Sequence, residues 1–347
     1  MMRMSAADAS VLDEIAAIAV MPGDLVERAK ALLKPLQRIT PCDAAFITAF
    51  DPERRVQTPL LRHGYTAAVM RALDGPQLTD DVEQAGLHGP SLPVRMGDLP
   101  VPVETLPTWS QHLYPAGIRQ FLSTGLFARD GRYLGVVATN SADPRPATEA
   151  ARLLLARAAP WIGHAVDPLR TVSAIARLVG DAVAGVALTR AADIVPLTGL
   201  PGHPLLAPGS PVVLAAAART AGGHPLTTFL CPDDGEDPGG GLFRVSMLAC
   251  PPQPPGHLRR VLLLSPAPYP HGLTRHELQI LGLLIEGWPL ARIAVELSTG
   301  VRVLTGDVEL ILAKLGAASR HMAAARALRR GVYIPAELTR SVRREQR

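Results

Sequence analysis

The stretch Leu273–Arg320, LTRHELQILGLLIEGWPLARIAVELSTGVRVLTGDVELILAKLGAASR, decides how the end of this chain folds. Thr274 stands where it can cap a helix, and Glu277, three residues on, completes a reciprocal capping box. Leu278, Leu281 and Ile285 then fall on one helical face, and Gly287 ends the helix. Ile293, Ala294 and Leu297 line a short second helix. Leu304, Val308, Ile311, Leu312 and Leu315 line a third, and a fourth begins near Ser319-Arg320 and ends at Gly331. Four short amphipathic helices with tight turns can present one helix on the others, so that it enters a DNA major groove about 12 Å wide.

The same periodicity puts Arg302, Thr305, Gly306, Glu309 and Ala313 opposite the apolar stripe of the third helix, on its outward face. Gly306 within that helix costs about 1 kcal/mol relative to alanine. Asp307 and Glu309 would approach DNA phosphates of like charge, and the net charge of Arg302–Lys314 is zero. Affinity for DNA would then lean on Arg292, Lys314 and Arg320. The tail adds Arg340, Arg343, Arg344 and Arg347 at i, i+3, i+4 and i+7, a basic stripe if helical, and each phosphate contact adds to the salt dependence of binding.

Charge is distributed to match. Residues 271–347 hold 12 Arg and Lys against 7 Asp and Glu, whereas the rest of the chain holds 23 against 24. The whole positive excess sits at the C-terminal end, the asymmetry expected of an appended nucleic-acid-binding module. A solvated basic tail has the same charge, so charge alone does not separate the two.

Leu273-Thr274, Glu277-Leu278, Gly287, Ile293-Ala294, Leu297, Val308, Ile311-Leu312, Lys314-Leu315-Gly316 and Ser319-Arg320 together resemble the LuxR-type helix-turn-helix domain, over residues 271–330. The resemblance implies a transcriptional regulator that binds double-stranded DNA, normally as a homodimer. Its contact residues here would be Arg292, Arg302, Thr305, Gly306, Glu309, Lys314 and Arg320. The chain departs from the family at the reading head. Basic residues are usual at Thr305 and Glu309, a His at Asp307, a polar or basic residue at Ala291 and a capping Ser at Gly300.

Upstream, residues 9–40 read as helical with a break at Pro22-Gly23, and Ala44–Phe50 reads as a strand closed by Asp51-Pro52. Residues 75–107 are proline-rich and read as loop. Phe121–Ala128 and Tyr133–Thr139 read as a hairpin around Asp130-Gly131, because Asp-Gly supplies the positive φ angles of a tight turn. A helix follows at Pro146–Val166. This order over residues 9–167, and GLFARDGRYLGVVATNSADPRPATEAARLLLARAAPWIGHAV above all, resembles a GAF sensor domain.

Residues 171–268 read as a small mixed unit, with a helix at Val172–Val179, Gly185–Leu188 and strands at Pro225–Leu230, Leu242–Ala249 and Leu258–Leu264. It resembles a degenerate PAS fold, with a loose loop at Asp233–Gly241. Ser265–Pro270 reads as a short stiff linker. The expectation is therefore an α+β multidomain chain: GAF-like domain 9–167, PAS-like domain 171–268, all-α four-helix module 271–330 and basic tail 331–347.

Composition narrows the chemistry. A hydrophobic content of 48% with 19% charged residues is that of an ordinary globular chain. No run of 18 uncharged apolar residues appears and the first residues lack a signal-peptide layout, so a cytoplasmic protein with no membrane partner is expected. P-loop, HExxH and GxSxG patterns are absent, which argues against an enzyme. Three cysteines without CxxC spacing and ten histidines without a metal-ligand pair predict no metal and no cofactor. Cys42 has two readings, a redox switch or a small buried residue. The N-terminal domains would sense an unidentified small molecule or mediate dimerisation. A second reading stays open: a ligand-sensing or protein-interaction protein whose helical module has lost DNA readout.

Overall fold

The computed structural model describes residues 5–219, 226–233 and 241–339. The chain divides into two compact units, residues 1–171 with 252–257, and residues 172–251 with 258–347. Both are mixed α/β, each built on a five-stranded antiparallel sheet.

The first unit opens with α1 (Ala6–Val20), α2 (Leu25–Ala31) and α3 (Leu33–Ile39). Ser5 and Asp24 each close a capping box on the helix they start. The expected helix over 9–40 is broken a second time, at Leu32. Pro35 has no N–H for an interior helical bond, but it is tolerated in the first turn of a new helix. The strands β1 (Ala44–Asp51), β2 (Val56–His63), β3 (Val94–Arg95), β4 (Gln120–Phe127) and β5 (Tyr133–Ser141) form a sheet in the order β2-β1-β5-β4-β3.

Both sheet faces are covered, which is why β1 is nearly continuously apolar. Ile47 and Ala49 pack with α1, α2 and α6 (Glu149–Val166), while Ala44 and Phe46 pack with α4 (Ala67–Leu73) and α5 (Gln77–Gln84). The hairpin forms where Asp130-Gly131 predicts it, with Gly131 at φ +86° and Ala128 N bonded to Arg132 O at 2.9 Å. Strand β2 has no counterpart in the sequence reading. Its Pro59 lies opposite Thr48, where the β1–β2 register shifts, and proline is tolerated on such an edge strand. The segment 75–107, expected to be loop, contains α5 and β3.

α7 (Pro168–Ala176) leads into the second unit. There β6 (Ala184–Thr189), β7 (Ile194–Pro196), β8 (Leu226–Pro232), β9 (Leu242–Ala249) and β10 (Leu258–Ala267) give the order β7-β6-β10-β9-β8, with α8 (Pro211–Ala218) between β7 and β8. Four further helices follow: α9 (Arg275–Ile285), α10 (Leu290–Glu296), α11 (Val301–Leu315) and α12 (Arg320–Arg330).

Two boundaries differ from the sequence reading. Ser265–Ala267 is not linker but the end of β10, in register with Arg244, Phe243 and Leu242 of β9. Residues 331–339 are not a free basic tail. Val332, Tyr333, Ile334, Ala336 and Leu338 are buried in one core with Phe229 and Val245 of the sheet and Leu278 and Leu281 of α9. The backbone there is a strap between two elements. Leu230 N of β8 donates to Tyr333 O at 2.9 Å, and Ile334 N donates to Leu278 O of α9 at 3.1 Å. Sheet and helices that were expected as separate domains therefore share one hydrophobic core. The arginines at 340, 343, 344 and 347 lie outside the described residues, as does most of the expected Asp233–Gly241 loop.

No helix among the described residues is long and apolar enough to cross a membrane.

Candidate functional site

The four C-terminal helices form by the local rules read in their sequence. Thr274 Oγ1 accepts from Glu277 N at 3.2 Å, and Glu277 Oε2 accepts from Thr274 N at 2.7 Å. Gly287 sits at φ +74° after α9, and Gly316 and Gly331 end α11 and α12 in the left-handed region. Ser298, at φ +50°, turns the chain between α10 and α11, and Gly300 occupies the N-cap of α11 without a side-chain bond. Leu304, Val308, Ile311 and Leu315 are the buried stripe of α11.

The outward face of α11 carries Arg302, Thr305, Gly306, Glu309 and Ala313, all exposed, as the periodicity predicts. It offers DNA little. Thr305 Oγ1 donates back to Val301 O at 2.9 Å, and nothing stands within 4 Å of the position a Cβ would take on Gly306. Val303 and Leu310 are 60% and 55% exposed on the same helix, and Val295 of α10 is 79% exposed.

The remaining candidates divide. Arg292 is exposed on α10, its guanidinium carbon 3.6 Å from the centre of the Trp288 ring. That stacking holds the charge in place while leaving its N–H edges free for a phosphate. Arg320 is exposed at the first position of α12. Lys314 is otherwise engaged: its Nζ donates to Glu277 Oε1 and Oε2 at 2.8 and 2.7 Å, tying the end of α11 to the start of α9. Its ammonium is thus committed to a pair within the chain. Burial raises the Glu277 carboxyl, but the bonds from Lys314 and Thr274 outweigh this and leave it below the ordinary glutamate value.

Asp307, expected to approach phosphates, instead turns inward. Its Oδ2 lies 3.4 Å from His276 Nε2 of α9, at ion-pair distance but without hydrogen-bond alignment. Glu309 alone keeps an outward acidic group on α11. Arg326 hydrogen-bonds Leu315 O and Gly316 O, capping the C-terminal end of α11.

A further basic surface lies on α12, of which the sequence reading named only Arg320. Arg320, His321, Arg329 and Arg330 are exposed there, and the helix holds no acidic residue. The signal for the others was present in RHMAAARALRR, where Arg329 and Arg330 fall with Arg320 on a helix without acidic residues.

Among the described residues, no group of three His, Cys, Asp or Glu is arranged to hold a metal ion. Among the described residues no cysteine forms a disulfide, and burial, with Asp43 adding to it, pushes the Cys42 thiol up to about 11. A thiol so raised is a poor nucleophile at neutral pH, which weighs against the redox-switch reading.

No family model matches the chain, and no curated protein matches it. Solved structures align over parts of it. The GAF domain of the Acinetobacter phosphoenolpyruvate-protein phosphotransferase is 14% identical, covers 49% of this chain and 98% of its own, and has a TM-score of 0.35. VqmA of Vibrio cholerae, described as a dimer and grouped with LuxR-type receptors, is 17% identical, covers 50% of this chain and 92% of its own, and has a TM-score of 0.28. The bacteriophytochrome RpBphP3 of R. palustris is 10% identical over 76% of this chain and 65% of its own, with a TM-score of 0.39. Similarity at this level decides neither fold family nor function.

Proposed function

We propose that the chain is a transcriptional regulator of LuxR type that acts by binding double-stranded DNA and not by catalysis. In this reading residues 9–167 form a GAF-like body and the sheet of the second unit a PAS-like one, which sense a small molecule or mediate homodimerisation. The four helices α9–α12 are the DNA-binding module. One observation carries the reading. A four-helix array presents α11 with its apolar stripe inward and its opposite face bare, beside exposed arginines on α10 and α12 and within the net-positive end of the chain. Phosphate contacts would come chiefly from Arg292, Arg302, Arg320 and Arg329. Paired modules in a homodimer would multiply a weak single-module affinity.

The test is a gel-shift assay of the folded chain against duplex DNA from upstream of its own gene at low salt, repeated with Glu309→Lys. Binding that strengthens in the variant supports the reading, and absence of any complex in both proteins defeats it.

A second reading is favoured by a specific feature. Val295, Val303 and Leu310 are exposed apolar side chains on α10 and α11, and the one outward ionised group between Arg302 and Lys314 is the acidic Glu309. A face of this kind fits a protein partner better than a phosphate backbone. On that reading the module serves protein interaction, and Glu309→Lys gains no DNA affinity.

A further inference from the structure

The outward face of α11 is divided lengthwise. Residues seven apart on a helix return to within about 20° of each other. Arg302 and Glu309 therefore share one flank and Val303 and Leu310 the other, with Gly306 and Ala313 between them. All six are exposed, Val303 and Leu310 by 60% and 55%. Among the described residues neither Arg302 nor Glu309 has a side-chain partner. Nothing stands within 4 Å of the position a Cβ would take on Gly306, so the middle of the face is an open notch.

A two-fold axis perpendicular to α11 at Gly306 makes this pattern its own complement. Antiparallel pairing about that axis lays each flank beside the same flank of the second copy, with its direction reversed. At a rise of about 1.5 Å per residue, Arg302 lies about 6 Å before the axis and Glu309 about 4.5 Å after it. Each arginine thus comes level, to within about 1.5 Å, with the glutamate of the other copy. Val303 meets Leu310 in the same way. A parallel pair would instead set the charged flank against the apolar one. The small residues at the centre let two such helices approach to about 8 Å between axes. Fifteen residues give a face only about 22 Å long. That falls short of the roughly 800 Å² per partner of a standard interface, so the contact is weak and forms and breaks readily.

We infer that α11 pairs antiparallel with the α11 of a second copy of this chain, about a two-fold axis at Gly306. Arg302 then faces Glu309 across the axis, and Val303 packs against Leu310. A face so paired cannot enter a DNA groove, which makes the pair a form closed to DNA. The pairing is tested without DNA, so its failure leaves DNA binding standing, and a failure of DNA binding leaves the pairing untouched.

Disulfide trapping in the full chain reads the geometry. Gly306→Cys puts a thiol at the axis opposite its own copy, within the span of about 4–7 Å between Cα atoms that a disulfide bridges. Arg302→Cys leaves the two copies of its thiol about 12 Å apart along the helices, out of reach. Both positions are exposed, so the fold should tolerate both changes. The parent chain, with Cys42, Cys231 and Cys250, sets the background. Under mild oxidation, cross-linked dimer on non-reducing gels should form about tenfold faster in Gly306→Cys than in Arg302→Cys, which stays at the parent level. In the Gly306→Cys background, Arg302→Glu and Glu309→Arg should each slow trapping severalfold by setting like charges face to face. The two together should restore it. Equal trapping of Gly306→Cys and Arg302→Cys, or a double charge variant no faster than the single ones, would overturn the inference.

Discussion

Gly282, in the middle of α9, gives the sharpest test of the strap that joins helices to sheet. On helix propensity alone, Gly→Ala in a helix interior stabilises by about 0.5–1 kcal/mol. The structure reverses the sign. A Cβ at residue 282 would lie 1.8 Å from Ile334 O and 2.9 Å from Ile334 C, both backbone atoms that cannot swing aside. To relieve the contact the strap must move off α9. That weakens the Ile334 N–Leu278 O bond and lifts the fully buried Ile334 and Tyr333. One backbone bond contributes about 1 kcal/mol, and overpacking a core costs about 1–3 kcal/mol. Gly282→Ala should therefore destabilise by a net of about 2 kcal/mol after the propensity gain. Gly306→Ala on α11 is the control, because nothing stands within 4 Å of its added methyl. It should stabilise by about 1 kcal/mol. Urea titration followed by circular dichroism reads both, as midpoints moving in opposite directions at similar slope. If Gly282→Ala raises the midpoint as Gly306→Ala does, the strap does not lie against α9 and the shared core of the second unit is wrong.

Three further outcomes follow from the same packing. The Glu277 carboxyl titrates below its ordinary value of 4.5, so the stability it adds is complete above that value and is lost as pH falls through its lowered folded value; Lys314→Met should cost about 1–3 kcal/mol near neutrality and flatten this acid limb in urea titrations at a series of pH values. Arg219 bonds Glu337 at 3.1 Å, Glu286 at 3.4 Å and Ala215 O at 2.9 Å, and Arg219→Ala should cost about 1–2 kcal/mol by the same measurement, since both glutamates stay partly hydrated once released. Cys42, its thiol pushed up to about 11 by burial, should react with iodoacetamide far more slowly than a free thiol at pH 7.5, with rates followed by mass spectrometry.

Much of this architecture was legible in the sequence, for local reasons. The Thr274–Glu277 box, the Gly287 and Gly331 stops and the Asp130-Gly131 turn are each decided within a few residues, and each forms where it was read. Strand β1 was legible because burial on both faces leaves a continuous apolar run. What escaped depends on partners far along the chain. Periodicity gave the side of α11 on which Lys314 and Asp307 lie, but not that Lys314 would pair with Glu277 or that Asp307 would turn toward His276, both on another helix. Val332–Ile334 is too short to announce itself as buried, and the arginines that follow coloured the whole segment as tail. Strand β2 was hidden by Pro59, which an edge strand tolerates.

The central claim is that α9–α12 bind DNA through flanking arginines more than through the outward face of α11. The most direct test is the affinity of the full chain for duplex DNA as a function of salt. The account predicts a linear fall of log K with log salt, with a slope shallower by about 0.9 for each phosphate-contacting arginine removed. Arg320→Ala and Arg292→Ala should each show that loss, while Thr305→Ala leaves the slope unchanged. A folded protein with no DNA affinity at low salt, or a slope insensitive to both arginines, would contradict it.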